Sequence, residues 1–364
     1  MTRVLHVAGA RPNFMKIAPL LSAFGERPSL TSRLVHTGQH YSAEMSSLFF
    51  DELGIPKPDI DLEVGSGSHA QQTALILERF EPVLLDERPD LVLVVGDVNS
   101  TIACALAASK LGIAVAHVEA GLRSFDRTMP EEINRLLTDA IADLLFVSEA
   151  SGVDNLVREG CDRSRIHFVG NVMIDTLVAH RARAARSDVL TRLSVTPGAY
   201  GLITLHRPAN VDDPRAFREV LTPLVELSRT LPLVFPVHPR TRPGLEAARR
   251  ALGADGLVIV EPLGYLDFLR LMTDARIVLT DSGGIQEETT ILNVPCVTLR
   301  NNTERPVTLT HGTNRLAGTA ADSIRTAIAE TLAAPRTDRE PPPLWDGRAS
   351  GRIADVIVAW AGSR

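Results

Sequence analysis

The chain has 364 residues, 45% of them apolar and 23% charged, a composition typical of a globular protein long enough for two domains. Its formal net charge of −6, without a basic tail or a lysine-rich patch, argues against nucleic acid as a partner. No apolar run has the length of a membrane span, and strand-like sequence begins at once without a signal peptide, so we expect a cytoplasmic protein with no membrane partner.

The first half of the chain alternates apolar strands with amphipathic helices. Because the strands are nearly continuous apolar runs, they are typical of a parallel sheet that is covered on both faces. The pattern predicts strands at 4–8, 32–36, 91–95, 113–118 and 144–147, and helices at about 13–24, 71–87, 101–111 and 134–143.

The second half repeats this alternation, with strands at 199–205, 233–237, 257–260, 277–280 and 295–299 and helices at 217–230, 265–273, 285–292 and 321–333. The predicted fold class is α/β, with two doubly wound Rossmann-like domains facing a cleft. We place an N-terminal domain at 1–170, a second domain at 171–345, and at 346–364 a C-terminal helix that packs back toward the first domain.

The most informative stretch joins the strand at 277–280 to the helix at 285–292. It has the sequence Asp281-Ser282-Gly283-Gly284-Ile285-Gln286-Glu287-Glu288. A small-residue turn at a helix N-terminus presents N–H groups and a positive dipole end, which favour a phosphate, and a glutamate of the first turn suits a ribose. Such turns also occur for packing alone, so this stretch by itself leaves the ligand open.

Polar side chains follow most of the other predicted strands. Doubly wound sheets bind their ligands at the carboxyl ends of the strands, so these residues predict a binding cleft. They are Arg11, Lys16, Asp97, Asn99, Glu119, His206, Arg207, His238 and Glu261.

The carboxylates in this set also have structural explanations. Asp97 suits the N-cap of the helix that follows it, and Arg123 suits the role of partner to Glu119 at the end of a buried strand. Glu131 and Glu132 follow Pro130 as acids of a first helical turn, and a structural role would account for one of them.

The basic residues favour an anionic ligand. Arg11 and Lys16 suit a phosphate, and a cation near a helix N-terminus is unfavourable unless an anion lies close to it. His206 and His238 both end buried strands, and two histidines in matching positions favour a ligand more than one alone does.

Motifs for a metal or a redox cofactor are absent from the sequence. The three cysteines are far apart, and no histidine has ligand companions at zinc-binding spacing. The segment Gly9-Ala10-Arg11 departs from the dinucleotide fingerprint, and neither a Walker motif nor a nucleophile elbow occurs. We therefore expect no cofactor and no metal.

Seven motifs in order resemble the non-hydrolysing UDP-N-acetylglucosamine 2-epimerases along nearly the whole chain. This resemblance implies a two-domain glycosyltransferase-B-type fold, a homodimer, a UDP-sugar substrate and no metal or nicotinamide. The motifs are Gly9-Ala10-Arg11-Pro12, Gly96-Asp97, His117-Val118-Glu119-Ala120-Gly121-Leu122-Arg123, Pro130-Glu131-Glu132-Ile133-Asn134-Arg135, Pro236-Val237-His238-Pro239, Asp281 to Glu288 and Glu304-Arg305-Pro306.

The family reaction inverts carbon 2 of the sugar by eliminating UDP to a glycal-like intermediate and adding it back. Such a site has to stabilise the departing diphosphate and place acid/base groups beside the ring. By resemblance, the acid/base residues are Asp97, Glu119, Glu131 and His206, and the substrate-binding residues are Arg11, Lys16, His238, Phe268, Ser282, Gly283, Gly284, Glu288 and Arg305, with Glu288 on the ribose and Phe268 near the uracil.

The chain also departs from the family pattern. Asn13, Val98, Asn99, Val307 and Leu263 replace residue types that are common in the family. Gln39 and His40 match part of the family's regulatory site, whereas Ser42 and Gln71 do not. We therefore do not expect conventional activation by substrate.

These departures leave room for a different sugar. A hydrolysing 2-epimerase, or a 2-epimerase of another nucleotide sugar, is the first alternative. A retaining glycosyltransferase and a non-catalytic nucleotide-sugar sensor are further ones. Polysaccharide biosynthesis is the expected setting of the reaction.

Overall fold

A computed structural model describes residues 1–38, 50–237, 241–242, 244–246, 256–335 and 338–363, with Arg11 described by its backbone alone. The chain divides into two compact units, Met1–Ala179 with Pro343–Arg364, and His180–Pro342. None of the helices in these described ranges is both long and apolar enough to cross a membrane.

All strand pairs in the two sheets are parallel. The strands are β1 (Thr2–Ala8), β2 (Leu30–His36), β3 (Ile60–Asp61), β4 (Leu91–Val95), β5 (Ala114–Ala120), β6 (Leu144–Val147), β7 (Ile166–Phe168), β8 (Gly201–Thr204), β9 (Leu233–Pro236), β10 (Leu257–Val260), β11 (Ile277–Thr280), β12 (Cys296–Thr298) and β13 (Asn314–Leu316).

The connections between strands are mostly helical. The helices are α1 (Arg11–Gly25), α2 (His69–Glu87), α3 (Asn99–Lys110), α4 (Pro130–Ile141), α5 (Ala150–Arg158), α6 (Val172–Ala184), α7 (Val189–Arg192), α8 (Pro208–Val211), α9 (Pro214–Ser228), α10 (Tyr265–Thr273), α11 (Gly283–Leu292), α12 (Val307–Thr310), α13 (Ala321–Ala333) and α14 (Ala349–Gly362), and a 3-10 turn spans Arg163–Arg165.

Each unit contains one doubly wound sheet, which confirms the predicted fold class of the two halves. The first sheet has the order β3-β2-β1-β4-β5-β6-β7, and the second has the order β10-β9-β8-β11-β12-β13. The strand order reverses between β1 and β4 in the first unit and between β8 and β11 in the second. Ligands of such sheets bind outside the carboxyl ends of the strands at these reversal points.

Apolar side chains from both faces of each sheet form its core. In the first unit, Ile76 and Phe80 of α2 pack with Val92 and Val94 of β4, and all four are almost fully buried. Because the strands lie between two helical layers, they are apolar on both faces, which is why the sequence shows continuous apolar runs instead of alternation.

The boundary between the units lies at Ala179, nine residues after the predicted one at 170. Helix α6 runs through this region without a break, and its Thr176 hydroxyl donates to the carbonyl of Met15 in α1. The first part of α6 therefore packs as an element of the N-terminal unit. No turn residue marks the division within the helix.

The C-terminal segment belongs to the first unit. Asp175 of α6 is buried and accepts hydrogen bonds from the backbone N–H groups of Ala349 (3.0 Å) and Ser350 (2.7 Å) in the first turn of α14. The indole N–H of Trp345 donates to the carbonyl of Ser148 at 2.8 Å. The two bonds to Asp175 satisfy backbone N–H groups that the start of a helix leaves without partners.

We predict that Asp175→Ala lowers the free energy of unfolding by about 1–3 kcal/mol, because it leaves buried N–H groups unpaired. Asp355 of the same segment is the control: its side chain is 67% exposed in a 2.9 Å ion pair with Arg27, so Asp355→Ala should cost less than about 1 kcal/mol. Urea denaturation followed by tryptophan fluorescence measures both, since Trp345 and Trp360 are the chain's two tryptophans. Equal losses in the two variants would contradict the prediction.

Candidate functional site

Glu119 lies at the carboxyl end of β5 in a strained backbone conformation. The register of β5 against β6 shifts between Val118 and Ala120, and Glu119 has a φ of 73°, a left-handed value that few residues other than glycine adopt. The side chain is 4% exposed, and within the described residues its Oε1 is buried without a hydrogen-bond partner. Strain and an unpartnered buried oxygen both cost stability, which is typical of a functional position.

Lys16 of α1 is the partner of Glu119. Its Nζ lies 2.5 Å from Oε2 of Glu119, and both side chains are buried. A Cβ at Gly96 would lie 2.9 Å from this Nζ, so a glycine in the β4 turn leaves the space that the pair occupies. The alternative partner, Arg123, instead pairs with Asp139 at 2.7 Å and with Glu159 at 2.6 Å.

Asp97 follows β4 and faces Arg135 of α4 at 2.5 Å. The side chain of Arg135 is 2% exposed and also lies 2.5 Å from Glu132. Helix α3 has Val98 at its N-cap, so Asp97 lies one residue before the capping position. With 28% of its side chain exposed, Asp97 is oriented by Arg135 while still reaching the surface of this unit.

The two glutamates after Pro130 have different environments. Glu132 is buried and accepts the backbone N–H groups of Ser124 (2.9 Å) and Phe125 (3.0 Å). Although burial raises its pKa, the bonds from Ser124 and Arg135 lower that pKa below the ordinary value. Glu131 is half-buried, and its carboxylate makes no hydrogen bond or ion pair with the rest of the described chain. Glu132 is therefore the structural member of the pair.

Asn13, like Arg135, is a site residue whose role the sequence did not reveal. The Oδ1 of Asn13 accepts the N–H groups of Gly9 (3.1 Å) and Ala10 (2.9 Å), and its Nδ2 donates to the carbonyl of Val95 at 3.1 Å. Asn13 thus fastens the turn after β1 to the end of β4. The signal in the sequence was a polar residue in the first turn of a helix at a strand end.

In the second unit, Asp281 after β11 is a fully buried acceptor. It accepts the backbone N–H groups of His206 and Arg207, which follow the adjacent strand β8, and the side-chain amide of Asn210 at 3.1 Å. The Nδ1 of His206 lies 3.0 Å from its Oδ1. Burial alone raises the pKa of Asp281, but the bonds from His206 and Arg207 lower it below its ordinary value.

This carboxylate sets the tautomer of His206. Since an ionised carboxylate only accepts, Nδ1 of His206 carries a proton, and any proton exchange with a ligand runs through Nε2. The side chain is 46% exposed, so its ring reaches the surface of the second unit.

Gly283 lies directly over a buried cluster of charged residues. Helix α11 begins at Gly283 with Ser282 at its N-cap and no side-chain cap. A Cβ at Gly283 would lie 2.5 Å from NH1 of Arg305, so a side chain here would displace that guanidinium. The Nε of Arg305 lies 2.5 Å from Glu287 and its NH1 lies 2.6 Å from Glu304. The turn at Gly283 thus packs against a guanidinium that is held by two carboxylates.

Glu304 forms ion pairs with more than one arginine. Arg300 donates to it at 2.7 Å, and Arg207 lies 3.6 Å away. Burial raises the pKa of Glu304, but Arg305 and Arg300 hold it well below its ordinary value.

Glu288 lies on α11 and contacts α10. It is 2% exposed, and the hydroxyl of Tyr265 donates to its Oε1 at 2.8 Å. Burial raises the pKa of Glu288 to about 8, although the bond from Tyr265 lowers it. Phe268, one turn after Tyr265 on α10, is half-buried.

The structure brings the predicted residues together as two separate sets. Lys16, Asp97, Glu119 and Glu131 lie in the first unit, and His206, Phe268, Ser282, Gly283, Gly284, Glu288 and Arg305 lie in the second. The side chain of Arg11, the whole of His238, and Gln39, His40 and Ser42 lie outside the described residues. The functional roles of all these residues stay predictions.

The described part of the chain contains no group of three or more histidine, cysteine, aspartate or glutamate side chains placed to hold a metal ion. Cys104 and Cys296 are fully buried, and burial raises the pKa of the Cys296 thiol to about 12, so neither suits nucleophilic chemistry.

We predict that Glu288→Gln changes how stability depends on pH. The folded protein retains a proton at Glu288 up to about pH 8, whereas the unfolded chain releases it near pH 4.5. This group therefore destabilises the fold progressively as pH rises between these values. The variant should gain stability relative to the parent protein across this window, measured by urea denaturation with circular dichroism.

The matched control for this prediction is Glu330→Gln, which alters a carboxylate that is 52% exposed in the same unit. Its effect on the free energy of unfolding should stay below about 1 kcal/mol, because solvent screens an exposed ion pair. A difference between Glu288→Gln and the parent protein that does not change with pH would refute the raised pKa.

Comparison with known proteins identifies the family. The model of the family described as UDP-N-acetylglucosamine 2-epimerase matches residues 22–358. The chain is 41% identical over 365 residues to the UDP-N-acetylglucosamine 2-epimerase of Methanococcus maripaludis, covering 98% of both proteins. It is 42% identical over 364 residues to the UDP-2,3-diacetamido-2,3-dideoxy-D-glucuronate 2-epimerase of Pseudomonas aeruginosa, covering 98% of this chain and 99% of that protein.

A solved structure supports the same assignment. The crystal structure of the Methanocaldococcus jannaschii UDP-GlcNAc 2-epimerase in complex with UDP-GlcNAc and UDP matches with a TM-score of 0.92 and 40% identity, covering 98% of this chain and all of that one. The glycosyltransferase-B-type fold that the resemblance implied is thereby confirmed. On these matches, this chain belongs to the UDP-N-acetylglucosamine 2-epimerase family.

Proposed function

We propose that this protein is a UDP-N-acetylglucosamine 2-epimerase, an isomerase that interconverts UDP-GlcNAc and UDP-ManNAc without a cofactor. The observation that carries the proposal is the 41% identity, over 98% of both chains, to the named epimerase of Methanococcus maripaludis. The buried, strained Glu119 beside Lys16 supports it, because an acid/base reaction needs such an oriented carboxylate.

The reaction starts with elimination. A base of the first unit removes the proton on carbon 2, the bond between carbon 1 and the diphosphate oxygen breaks, and UDP leaves with that electron pair. A double bond between carbons 1 and 2 remains. UDP then adds back to carbon 1 while a proton is delivered to the opposite face of carbon 2. Asp97, Glu119 and Glu131 are the acid/base residues of this proposal.

The second unit binds UDP during these steps. The N–H groups of Gly283 and Gly284, together with the dipole of α11, stabilise the charge on the departing diphosphate. Ser282, whose own N–H donates to the hydroxyl of Thr280 at 2.9 Å, contributes its side chain to this turn. Arg305 supports this turn from below, and Glu288 holds the ribose. His206, whose Nδ1 faces Asp281, exchanges a proton with the leaving group through Nε2.

The assembly and the setting are also part of the proposal. An apolar groove of the first unit is lined by Leu84, Leu85, Pro89, Leu111 and Ile113. Leu85 is 56% exposed and Leu111 is 36% exposed, which favours a homodimer that covers this surface. We place the enzyme in the cytoplasm, in polysaccharide biosynthesis.

A second candidate is a 2-epimerase of another UDP-sugar. The chain is 42% identical to the Pseudomonas aeruginosa 2-epimerase, whose named substrate is UDP-2,3-diacetamido-2,3-dideoxy-D-glucuronate, and 41% identical to the UDP-N-acetylglucosamine 2-epimerase of Methanococcus maripaludis. Incubating the enzyme with each nucleotide sugar separately distinguishes the two. The preferred substrate is the one with the higher kcat/KM, and release of free sugar would indicate the hydrolysing alternative.

Incubation with UDP-GlcNAc in heavy water should place deuterium at carbon 2 of both sugars, read by proton NMR. Glu119→Gln should lower the exchange rate at least ~100-fold, because it replaces an acid/base group while keeping the size of the side chain. Asp355→Asn, at an exposed ion pair of the same unit, is the matched control and should retain the parent rate. No exchange in the parent protein would rule out the epimerase.

Gly283→Ala should weaken binding of UDP by roughly 10-fold, since the added Cβ would lie 2.5 Å from Arg305 and would displace the phosphate turn. Gly351→Ala is the control, because a Cβ there approaches another atom no closer than 3.9 Å. Titration calorimetry with UDP measures both variants. Unchanged affinity in Gly283→Ala would contradict the role of this turn.

A further inference from the structure

His117 of β5 is fully buried, and both of its ring nitrogens face acceptors. Its Nδ1 lies 2.6 Å from Oδ1 of Asp139 on α4, and its Nε2 lies 2.8 Å from the carbonyl oxygen of Gly96. A carbonyl oxygen only accepts, so Nε2 carries a proton. Nδ1 carries a second proton if Asp139 is ionised.

The surroundings of Asp139 favour its ionised form. Its Oδ2 accepts the backbone N–H of Gly121 at 3.0 Å and lies 2.7 Å from NH2 of Arg123. Burial by itself raises the pKa of Asp139, but His117 and Arg123 lower it below the ordinary value. An ionised Asp139 has no proton to share, so the bond to His117 is donated by the ring.

Arg123 links this pair to a carboxylate at the surface. It forms two bonds to Glu159, at 2.8 Å from Nε and 2.6 Å from NH2. The side chain of Glu159 is 34% exposed, so solvent screens its charge. Asp139 is therefore the carboxylate whose buried charge Arg123 and His117 stabilise.

The pair of His117 and Asp139 joins the two turns that bear the candidate acid/base residues. Gly96 directly precedes Asp97, and Gly121 lies two residues after Glu119. His117 holds the carbonyl of the first turn, and Asp139 holds the N–H of the second. The His117 ring and the Asp139 carboxylate are hydrogen-bonded to each other, so a continuous chain of hydrogen bonds connects the two turns.

We propose that His117 and Asp139 form an imidazolium–carboxylate clamp that positions Asp97 and Glu119 for proton transfer at carbon 2. Both are positioning residues, since neither reaches the surface of the unit. The inference rests on the proposed 2-epimerase function for its catalytic part. The protonation of His117 is independent of that function.

The protonation state is tested on the parent protein by nitrogen-15 NMR of the histidine rings, with His117→Gln used to assign the signals. At about neutral pH, both ring nitrogens of His117 should show the chemical shifts and attached protons of an imidazolium. A ring with one unprotonated nitrogen would overturn the clamp. This readout is available even if the protein has no epimerase activity.

The positioning role is tested with Asp139→Ala, which removes the acceptor of the Gly121 N–H and of the His117 ring and so releases the turn after Glu119. We expect kcat for UDP-GlcNAc to fall ~10- to 100-fold, as for a displacement of about 1 Å, with KM changed less than ~3-fold. Affinity for UDP, which the second unit binds in this proposal, should be unchanged in titration calorimetry.

Asp175→Ala is the matched control, since Asp175 is a buried carboxylate of the same unit that also accepts backbone N–H groups. Its kcat per folded molecule should stay within ~2-fold of the parent value, even where its stability falls. An equal loss of kcat in both variants would show that His117 and Asp139 have a structural role and no positioning role. A parent protein that binds UDP but neither exchanges deuterium nor forms product would instead refute the proposed function.

Discussion

The buried ion pair between Lys16 and Glu119 constrains the whole carboxyl edge of the first sheet. Removing two charges from water is costly, and their attraction offsets this cost only in a close geometry. The 2.5 Å approach requires a left-handed backbone at Glu119 and the absence of a Cβ at Gly96. Asn13 fixes the turn after β1, which brings Lys16 to the end of β4. The strand bulge, the glycine and the asparagine are thus consequences of one requirement.

The second unit also stabilises buried charges at close range, but by a different arrangement. Its buried carboxylates, Asp281 and Glu304, are surrounded by donors from several elements. Asp281 therefore fixes the ends of two strands, and Glu304 fixes the guanidinium under Gly283. Both carboxylates orient groups that touch the proposed ligand, without belonging to its contact surface. The turn that we propose for the phosphates therefore has a shape fixed by buried charges, and such preorganisation lowers the cost of ordering a site on binding.

The sheets were predictable because long apolar strands have few other interpretations, whereas β3, β7 and β13 have two or three residues each and carry no readable pattern. The edge positions of Asp97, Glu119 and His206 followed from strand ends. The ion-pair partners of these residues did not follow from the strand ends. Arg123 was the nearest cation in sequence to Glu119, yet the actual partner is Lys16, 103 residues away. Ion pairs across a parallel sheet join elements separated by whole crossovers, so spacing along the chain does not reveal them.

The ion pairs of the carboxylates bear on which of these residues remove and return the proton in the proposed reaction. Lys16 holds Oε2 of Glu119, so the other oxygen, Oε1, is presented in a fixed direction. Arg135 holds Oδ2 of Asp97 in the same way. Glu131 is half-buried and has no such partner among the described residues. Removal and return of a proton on opposite faces of one carbon require two groups in fixed directions. Asp97 and Glu119 therefore fit that requirement better than Glu131, and the clamp of His117 and Asp139 acts on the two turns that carry them.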